Sequence, residues 1–344
     1  MKILFDLRPA IDVPHGGVGR VSLELAVAWL RAFPEDQLVF FTSGWDTPSL
    51  PTRLTAPNAI HRHLRIPNKL LSALCVFGAA GVVRLARRRD PDIAAAFFPN
   101  LGFTGRLDGA IPTGLLLHDV SFRLEPRWFT WKQRIWHRLI APERRIKEAS
   151  ALFSVSNRTA EDAYRLLDIG RDRIATIPLG PTDIARYAAS VPASENRSPR
   201  TILVFGDGDA RKNAQGATKA IEILRQGPAF ADLAVESPKK DDAELAAQIA
   251  HAAAILYPSW YEGFGLPPHE AAAAGAPIVV SIHGAAPETA PPGTYFAPAA
   301  KPQLIAAALR QALEQGRQTP APVPETRWED AVRLIRRRLM GQKP

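Results

Sequence analysis

Short apolar runs rich in β-branched and aromatic residues alternate with helical patterns along this chain. That alternation constrains its fold more than any other feature. KILFDL (2–7), LVFFTS (38–43), IAAAFFP (93–99), TGLLLHD (113–119), ALFSVS (151–156) and RIATIPLG (173–180) recur with helical stretches between them. In one such stretch Val21, Leu25, Ala28 and Trp29 share a face after GGVGR. Parallel strands need a crossover, usually a helix, and strands apolar on both faces are covered on both. The pattern therefore predicts an α/β fold with a doubly wound parallel sheet. It weakens over 181–199, a polar, proline-containing stretch that reads as a linker. A second series then begins with TILVFG (201–206) and continues through AAAILYPS (252–259) and APIVVSI (276–282). The expected organisation is a domain over 1–180, a linker over 181–199 and a domain over 200–326, the two domains facing a cleft. Proline-rich TPAPVPE (319–325) precedes a last basic helix, RWEDAVRLIRRRLM (327–340).

A length of 344 residues suits two domains, and 46% hydrophobic residues suit packed cores. The single cysteine, Cys75, excludes an internal disulfide framework and fits a reducing compartment. No run reaches the roughly 18 apolar residues of a membrane span. MKILFDLRP places charges too early for a signal peptide and reads as a first buried strand. The expected location is cytoplasmic. Residues 1–180 carry 25 Lys/Arg against 17 Asp/Glu, whereas 181–344 are nearly balanced at 18 against 17. A basic first half points to an anionic surface. Within 125–149, Trp128, Trp131, Ile135 and Leu139 stand at helical spacing among Arg127, Lys132, Arg134 and Arg138. Two readings fit: an amphipathic helix packed on its own domain, or a peripheral contact with lipid headgroups. No nucleic-acid-binding module is present, and no strand feeds a G-x-G-x-x-G, which argues against a nicotinamide oxidoreductase.

Four constellations carry chemistry. Gly16, Gly17 and Gly19 lie just before an expected helix start, where bare amides suit a phosphate or simply a turn. His118 and Asp119 end a buried strand. In FGDGDARKNAQG (205–216), Arg211 and Lys212 follow a strand at a helix mouth, where two cations beside helix-terminal amides suit a departing diphosphate. Asp207 and Asp209 spell D-x-D there, but the adjacent cations oppose a metal and no third carboxylate is near, so no metal is expected. The fourth is YPSWYEGFGLPPHEAAAAGAP (257–277). Gly263 and Gly265 allow close backbone approach, Pro267 and Pro268 suit a first helical turn, and Glu270 is expected in that turn. Glu262 lies outside the helix, eight residues before Glu270.

Taken together, PSWYEGFGLPPHEAAAAGAPIVVS, RPAIDVPHGGVGR, HDVSF, ARKN and RWEDAVRLI resemble the motifs of glycosyltransferase family 4, in its bacterial mannosyltransferase-like branch. The resemblance covers nearly the whole chain. It implies a GT-B fold of two Rossmann-like domains, with the C-terminal helix (327–344) packing back on the first. It also implies a retaining, metal-independent hexosyltransferase that needs no cofactor. The implied donor is a nucleotide-sugar, GDP-mannose by branch. The implied acceptor is a glycan or a lipid-linked polysaccharide precursor at the inner face of the cytoplasmic membrane. Glu262 would contact donor-sugar hydroxyls and Glu270 the ribose. Amides around Phe264, Gly265 and Leu266 would hold the distal phosphate, which Arg211 and Lys212 neutralise. His118 would meet the sugar near its C6 hydroxyl, and Gly16, Gly17 and Gly19 would border donor phosphate and acceptor.

The chain departs from the family pattern in two places. Gly206-Asp207 stands where many members have Gly-Arg, and only 49 residues separate Lys212 from Glu262, about one βα unit fewer than usual. The second domain is therefore expected to be shortened. Two alternatives accompany the leading reading: a UDP-hexose or another GDP-sugar as donor, and a catalytically degenerate scaffold that binds a glycan.

Overall fold

The computed structural model describes residues 1–12, 14–78, 81–101, 107, 109–191, 200–206, 208–321 and 326–342. They form two compact units, Met1–Leu179 with Thr326–Pro344, and Gly180–Glu325. No described helix is long and apolar enough to cross a membrane.

The first unit is built on seven parallel strands: β1 (Lys2–Asp6), β2 (Gln37–Ser43), β3 (Ala59–Leu64), β4 (Ala95–Phe98), β5 (Thr113–Leu117), β6 (Ala151–Ser154) and β7 (Ile174–Thr176). Their order is β3-β2-β1-β4-β5-β6-β7, so the winding direction reverses between β1 and β4. Phe5, Trp29, Phe40, Phe97 and Phe153 interlock at the centre with ring centroids 5.4–6.4 Å apart. Such pairs add directionality to plain area burial. The helix Thr326–Leu339 belongs to this unit and packs on the helix Gly17–Ala32 and on β5 and β6. Arg336 fastens it, donating from Nε and Nη2 to the buried Asp36 carboxylate at 2.6 and 3.0 Å. The chain's amino terminus (3.0 Å) and the Trp29 indole (3.3 Å) also donate to Asp36. Burial alone would raise the Asp36 carboxyl, but these donors hold it below its ordinary value.

The second unit has five parallel strands: β8 (Thr201–Val204), β9 (Ala234–Glu236), β10 (Ala254–Tyr257), β11 (Ile278–Ser281) and β12 (Tyr295–Ala297), in the order β12-β11-β10-β8-β9. Here the winding reverses between β8 and β10, which pair through Ala254–Ile202, Ile255–Leu203 and Leu256–Val204. In sheets of this type ligands bind beyond the carboxyl ends of the strands at the reversal.

Three strands lie outside the runs predicted from the sequence: β3, β9 and β12. The expected linker also needs correction. Residues Asp183–Ser190 form a helix of the second unit, capped by Thr182 and packed on the helices Asp242–His251 and Leu266–Ala273. Ile184, Ala185 and Ala188 are its buried face, a spacing easily overlooked in a short polar segment. Residues 192–199 lie outside the described set.

Candidate active site

In the second unit the loops after β8 and β10 meet. After β8, residues Ala210–Lys212 make a single 3₁₀ turn, which the Asp209 side chain caps by accepting from the Arg211 amide at 2.9 Å. Asp209 also binds the Arg211 guanidinium (Nη2–Oδ2 3.1 Å). It is thus an ion-pair partner of Arg211. Asp207, its companion in the D-x-D pattern, lies outside the described residues. Asn213 follows in the left-handed region (φ 56°) and caps the helix Ala214–Arg225. Its amide nitrogen donates to Pro258 O (3.2 Å) and Ala299 O (2.8 Å), tying this turn to the ends of β10 and β12. A second tie runs from the Trp260 amide to Arg211 O at 2.8 Å. These ties aim Lys212 at the β10 loop. Its ammonium donates to Glu262 Oε1 and to the Tyr257 hydroxyl, both at 2.7 Å, and sits 4.5 Å from the Tyr257 ring centroid.

The Glu262 backbone is fixed from β11. Its carbonyl accepts from the Ala285 amide at 2.9 Å, and Gly284 (φ 75°) passes so close that a Cβ there would lie 2.6 Å from Glu262 N and O. Gly265 (φ 86°) then leads into the helix Leu266–Ala273. Pro267 and Pro268 have no N–H, so the amides presented at this helix start come from Gly265, Leu266 and His269. Phe264 stacks on His269 with centroids 4.9 Å apart, and its carbonyl accepts from Thr289 Oγ1 at 2.6 Å. Glu270 lies one step beyond the first turn in which it was expected, because the helix begins at Leu266. Its carboxylate is buried and accepts from Thr182 Oγ1 at 2.9 Å, so Glu270 also anchors the helix Asp183–Ser190.

In the first unit the glycine loop begins the helix itself. Gly16 is the N-cap, and Gly17 and Gly19 lie inside the first turn, not before it. His118 stands just past β5, with Nε2 at 2.7 Å from Pro99 O. A carbonyl only accepts, so Nε2 carries the proton and Nδ1 of the neutral ring is an acceptor. Burial lowers the His118 pKa from its ordinary value. Asp119 turns away to accept from Ser121 N (2.9 Å) and Oγ (2.6 Å). His118 opens into a cavity of about 180 Å³ that Val18, Asn100, Phe122, His137 and Ile140 also line.

His137 is a residue that sequence reasoning missed. It stands on the helix Trp131–Ile140, where His137 and Ile140 share one face three residues apart. The apolar stripe lies on the other side. Trp131, Ile135 and Leu139 are 62, 47 and 45% exposed, and no residue of this helix is buried. The stripe is therefore surface and not core. Trp128 is off that helix, in a separate turn over Pro126–Trp128 that ends before Thr130 caps the helix.

The structure thus gathers Arg211, Lys212, Glu262, Phe264, Gly265, Leu266 and Glu270 in the second unit. Gly16, Gly17, Gly19 and His118 belong to the first. Tyr257, Asn213, Thr182 and Gly284 join the list from structure alone. Tyr257 and Asn213 sit inside motifs visible in the sequence, but their partners lie 45 or more residues away.

The model for Glycosyltransferase Family 4 matches residues 15–181, and that for Glycosyl transferases group 1 matches residues 184–315. O-antigen chain mannosyltransferase B of Escherichia coli is 24% identical over 351 residues, covering 91% of each chain. The MMP α-(1→4)-mannosyltransferase of Mycolicibacterium hassiacum is 28% identical over 194 residues, covering 48% of this chain and 46% of its own. Among solved structures, sucrose-phosphate synthase from Thermosynechococcus elongatus superposes with a TM-score of 0.65 at 20% identity, over 99% of this chain and 94% of that one.

Proposed function

We propose that this chain, which the models for Glycosyltransferase Family 4 and Glycosyl transferases group 1 match over residues 15–181 and 184–315 and which is built as GT-B enzymes are, from two parallel-sheet α/β units, is a retaining mannosyltransferase of glycosyltransferase family 4. The donor is GDP-mannose, and the acceptor is a lipid-linked or polysaccharide-precursor glycan at the inner face of the cytoplasmic membrane. The choice of mannose draws on the names of the two relatives. The observation that carries the reading is the convergence of Lys212 and Glu262, 2.7 Å apart, at the strand reversal and beside the helix start at Leu266.

Transfer breaks the bond between the anomeric carbon and the phosphate oxygen, and forms one to an acceptor hydroxyl oxygen. The acceptor proton passes to the departing phosphate oxygen, so no protein nucleophile is required. Lys212 and Arg211 stabilise the charge that develops on the diphosphate, and the amides of Gly265 and Leu266 share it. Glu262 accepts from sugar hydroxyls and Glu270 from the ribose. In the first unit, neutral His118 offers Nδ1 to a hydroxyl, and Gly16, Gly17 and Gly19 border the acceptor. The exposed stripe Trp131–Ile135–Leu139, with Lys132, Arg134 and Arg138 on the same helix, makes the membrane contact.

The test is a screen of GDP- and UDP-sugars with a chelator present, read by nucleotide release and by ligand-induced melting shift. GDP-mannose should give both signals without divalent metal, and Lys212→Ala should lower transfer at least ~10²-fold. Transfer that depends strictly on added metal, or a mild Lys212→Ala effect, would remove the mechanism.

A further inference from the structure

The two residues given opposite ends of the donor hold each other in this structure. The Lys212 ammonium commits two of its three N–H bonds, one to Glu262 Oε1 and one to the Tyr257 hydroxyl, both at 2.7 Å. The Tyr257 ring lies beneath the cation, 4.5 Å from Nζ to the centroid. The ion pair is well shielded, with side chains 23 and 14% exposed. Both partners are set by backbone: Lys212 by the 3₁₀ turn and Asn213, Glu262 by Gly284 and the Ala285 amide. Burial and the neighbouring Glu262 carboxylate push the Tyr257 phenol well above its ordinary value, so it remains a neutral hydroxyl beneath the pair.

A phosphate that approaches Lys212 therefore meets a cation already neutralised. Ligands differ in what they offer in return. An intact nucleotide-sugar brings hydroxyl donors that give Glu262 new partners and release Lys212 to the phosphate. A nucleoside diphosphate without the sugar has no hydroxyl to give Glu262 there. It must break the pair uncompensated.

We propose that the Lys212–Glu262 pair, seated on Tyr257, is a specificity latch that admits the intact donor in preference to the spent nucleoside diphosphate. The inference rests on the reading above, in which Lys212 meets phosphate and Glu262 meets sugar. It makes the sugar and phosphate subsites thermodynamically coupled: occupation of one strengthens the other. It also gives the diphosphate left after transfer a route out, because Glu262, freed of the sugar, reclaims Lys212.

The latch makes an unusual prediction: removing a sugar-binding carboxylate should tighten a ligand that has no sugar. Dissociation constants for GDP and UDP would be measured by titration calorimetry at fixed ionic strength in chelator. Four proteins are compared: wild type, Glu262→Gln, Lys212→Met and the double variant. Glu262→Gln should bind the preferred diphosphate about tenfold tighter, equal to roughly 1.4 kcal/mol. Lys212→Met should bind it at least ~10-fold more weakly, and adding Glu262→Gln to Lys212→Met should change affinity less than ~2-fold. That non-additivity is the signature of the pair.

Unchanged or weaker binding by Glu262→Gln overturns the latch while leaving the clamp intact. An equal gain in the Lys212→Met background also overturns it, because the effect is then plain relief of repulsion between carboxylate and phosphate. If Lys212→Met binds as wild type does, or if neither nucleotide binds any of the four, the clamp assignment and the latch fail together. Glu262→Ala repeats the measurement should the glutamine variant fold poorly or keep a hydrogen bond to the ammonium.

Discussion

Gly284→Ala is a small change 22 residues from Glu262 in sequence, and it should disable the site through Glu262. At φ 75° an alanine occupies the left-handed region, which costs about 1–2 kcal/mol. The added Cβ would lie 2.6 Å from both N and O of Glu262, closer than real Cβ contacts allow, and the neighbouring atoms are backbone that cannot rotate aside. Relief requires the two loops to separate, which strains or breaks the Ala285 amide bond to Glu262 O, at about 0.5–1.5 kcal/mol more. The expected loss of stability is thus about 1.5–3.5 kcal/mol, and the Glu262 carboxylate moves by something on the order of 1 Å. A displacement of that size in a reacting site costs about 10²-fold in rate. The assay is kcat/KM for sugar transfer alongside the melting temperature. Gly316→Ala is the control: its φ is 69°, yet nothing lies within 4 Å of the added Cβ. It should lower melting and leave transfer near wild type. Two results would refute the reasoning: full transfer by Gly284→Ala, or loss of transfer of equal size in Gly316→Ala.

Three further predictions concern the first unit. Arg336→Ala strands the buried Asp36 carboxylate with fewer donors and should cost about 2–4 kcal/mol, since breaking one side of a buried pair is expensive. The sign with pH follows from the depressed Asp36 carboxyl: its contribution is present above the ordinary carboxylate value near ~4 and lost as pH falls through the lower folded value. Wild-type melting should therefore drop steeply below about pH 4 and Asp36→Asn should flatten that drop; an unaltered acid slope in Asp36→Asn counts against the assignment. Trp131→Ser with Ile135→Ser removes two exposed apolar groups from a helix with no buried residue, so folding should be spared. Sedimentation with anionic vesicles should fall at least ~10-fold, given ~1.5–3 kcal/mol for each large side chain fully buried in lipid; vesicle binding equal to wild type would return the stripe to an ordinary surface.

What the sequence made legible follows burial. β1, β4, β5 and β6 are flanked on both sides, and their runs FD-ended KILFD, AAFF, TGLLL and ALFS are nearly all buried, which leaves an apolar word in the chain. β3 lies at an edge and reads AIHRHL, with every residue only half-buried and two histidines serving Thr42. β9 is an edge strand of three exposed residues, AVE. Neither needs an apolar pattern, so neither left one. The helix Asp183–Ser190 hid for the opposite reason, with a buried stripe of only three residues in a polar segment. At the site, residue types that act through their own loop were readable: the cation pair, the two glutamates and the glycines. Residues that act across loops were not. Nothing in the run from Lys212 to Glu262 states that the ends touch, and the contact exists because β8 and β10 are neighbours although β9 separates them in sequence.

That same topology bears on the expectation that the second unit is one βα unit short of the family pattern. The chain leaves β8 outward to β9 and returns across it to β10, so β9 closes the sheet at a free edge where Val235 is 46% exposed. A further strand between β9 and β10 in sequence would be accommodated on that side of the sheet without disturbing the β8–β10 ladder. The register Ala254–Ile202 to Leu256–Val204 is intact, and with it the approach of Lys212 to Glu262. The glutamine bond between Gln248 and Glu236 (2.9 Å), and that from the Lys239 amide to Gln248 Oε1 (2.8 Å), fold the loop after β9 against the helix Asp242–His251. This edge lies on the far side of β8 from β10, so its extent does not alter the β8–β10 ladder. The clamp and Glu262 depend on β8 and β10, so Glu262→Gln should alter diphosphate binding whatever the length of the β9 edge.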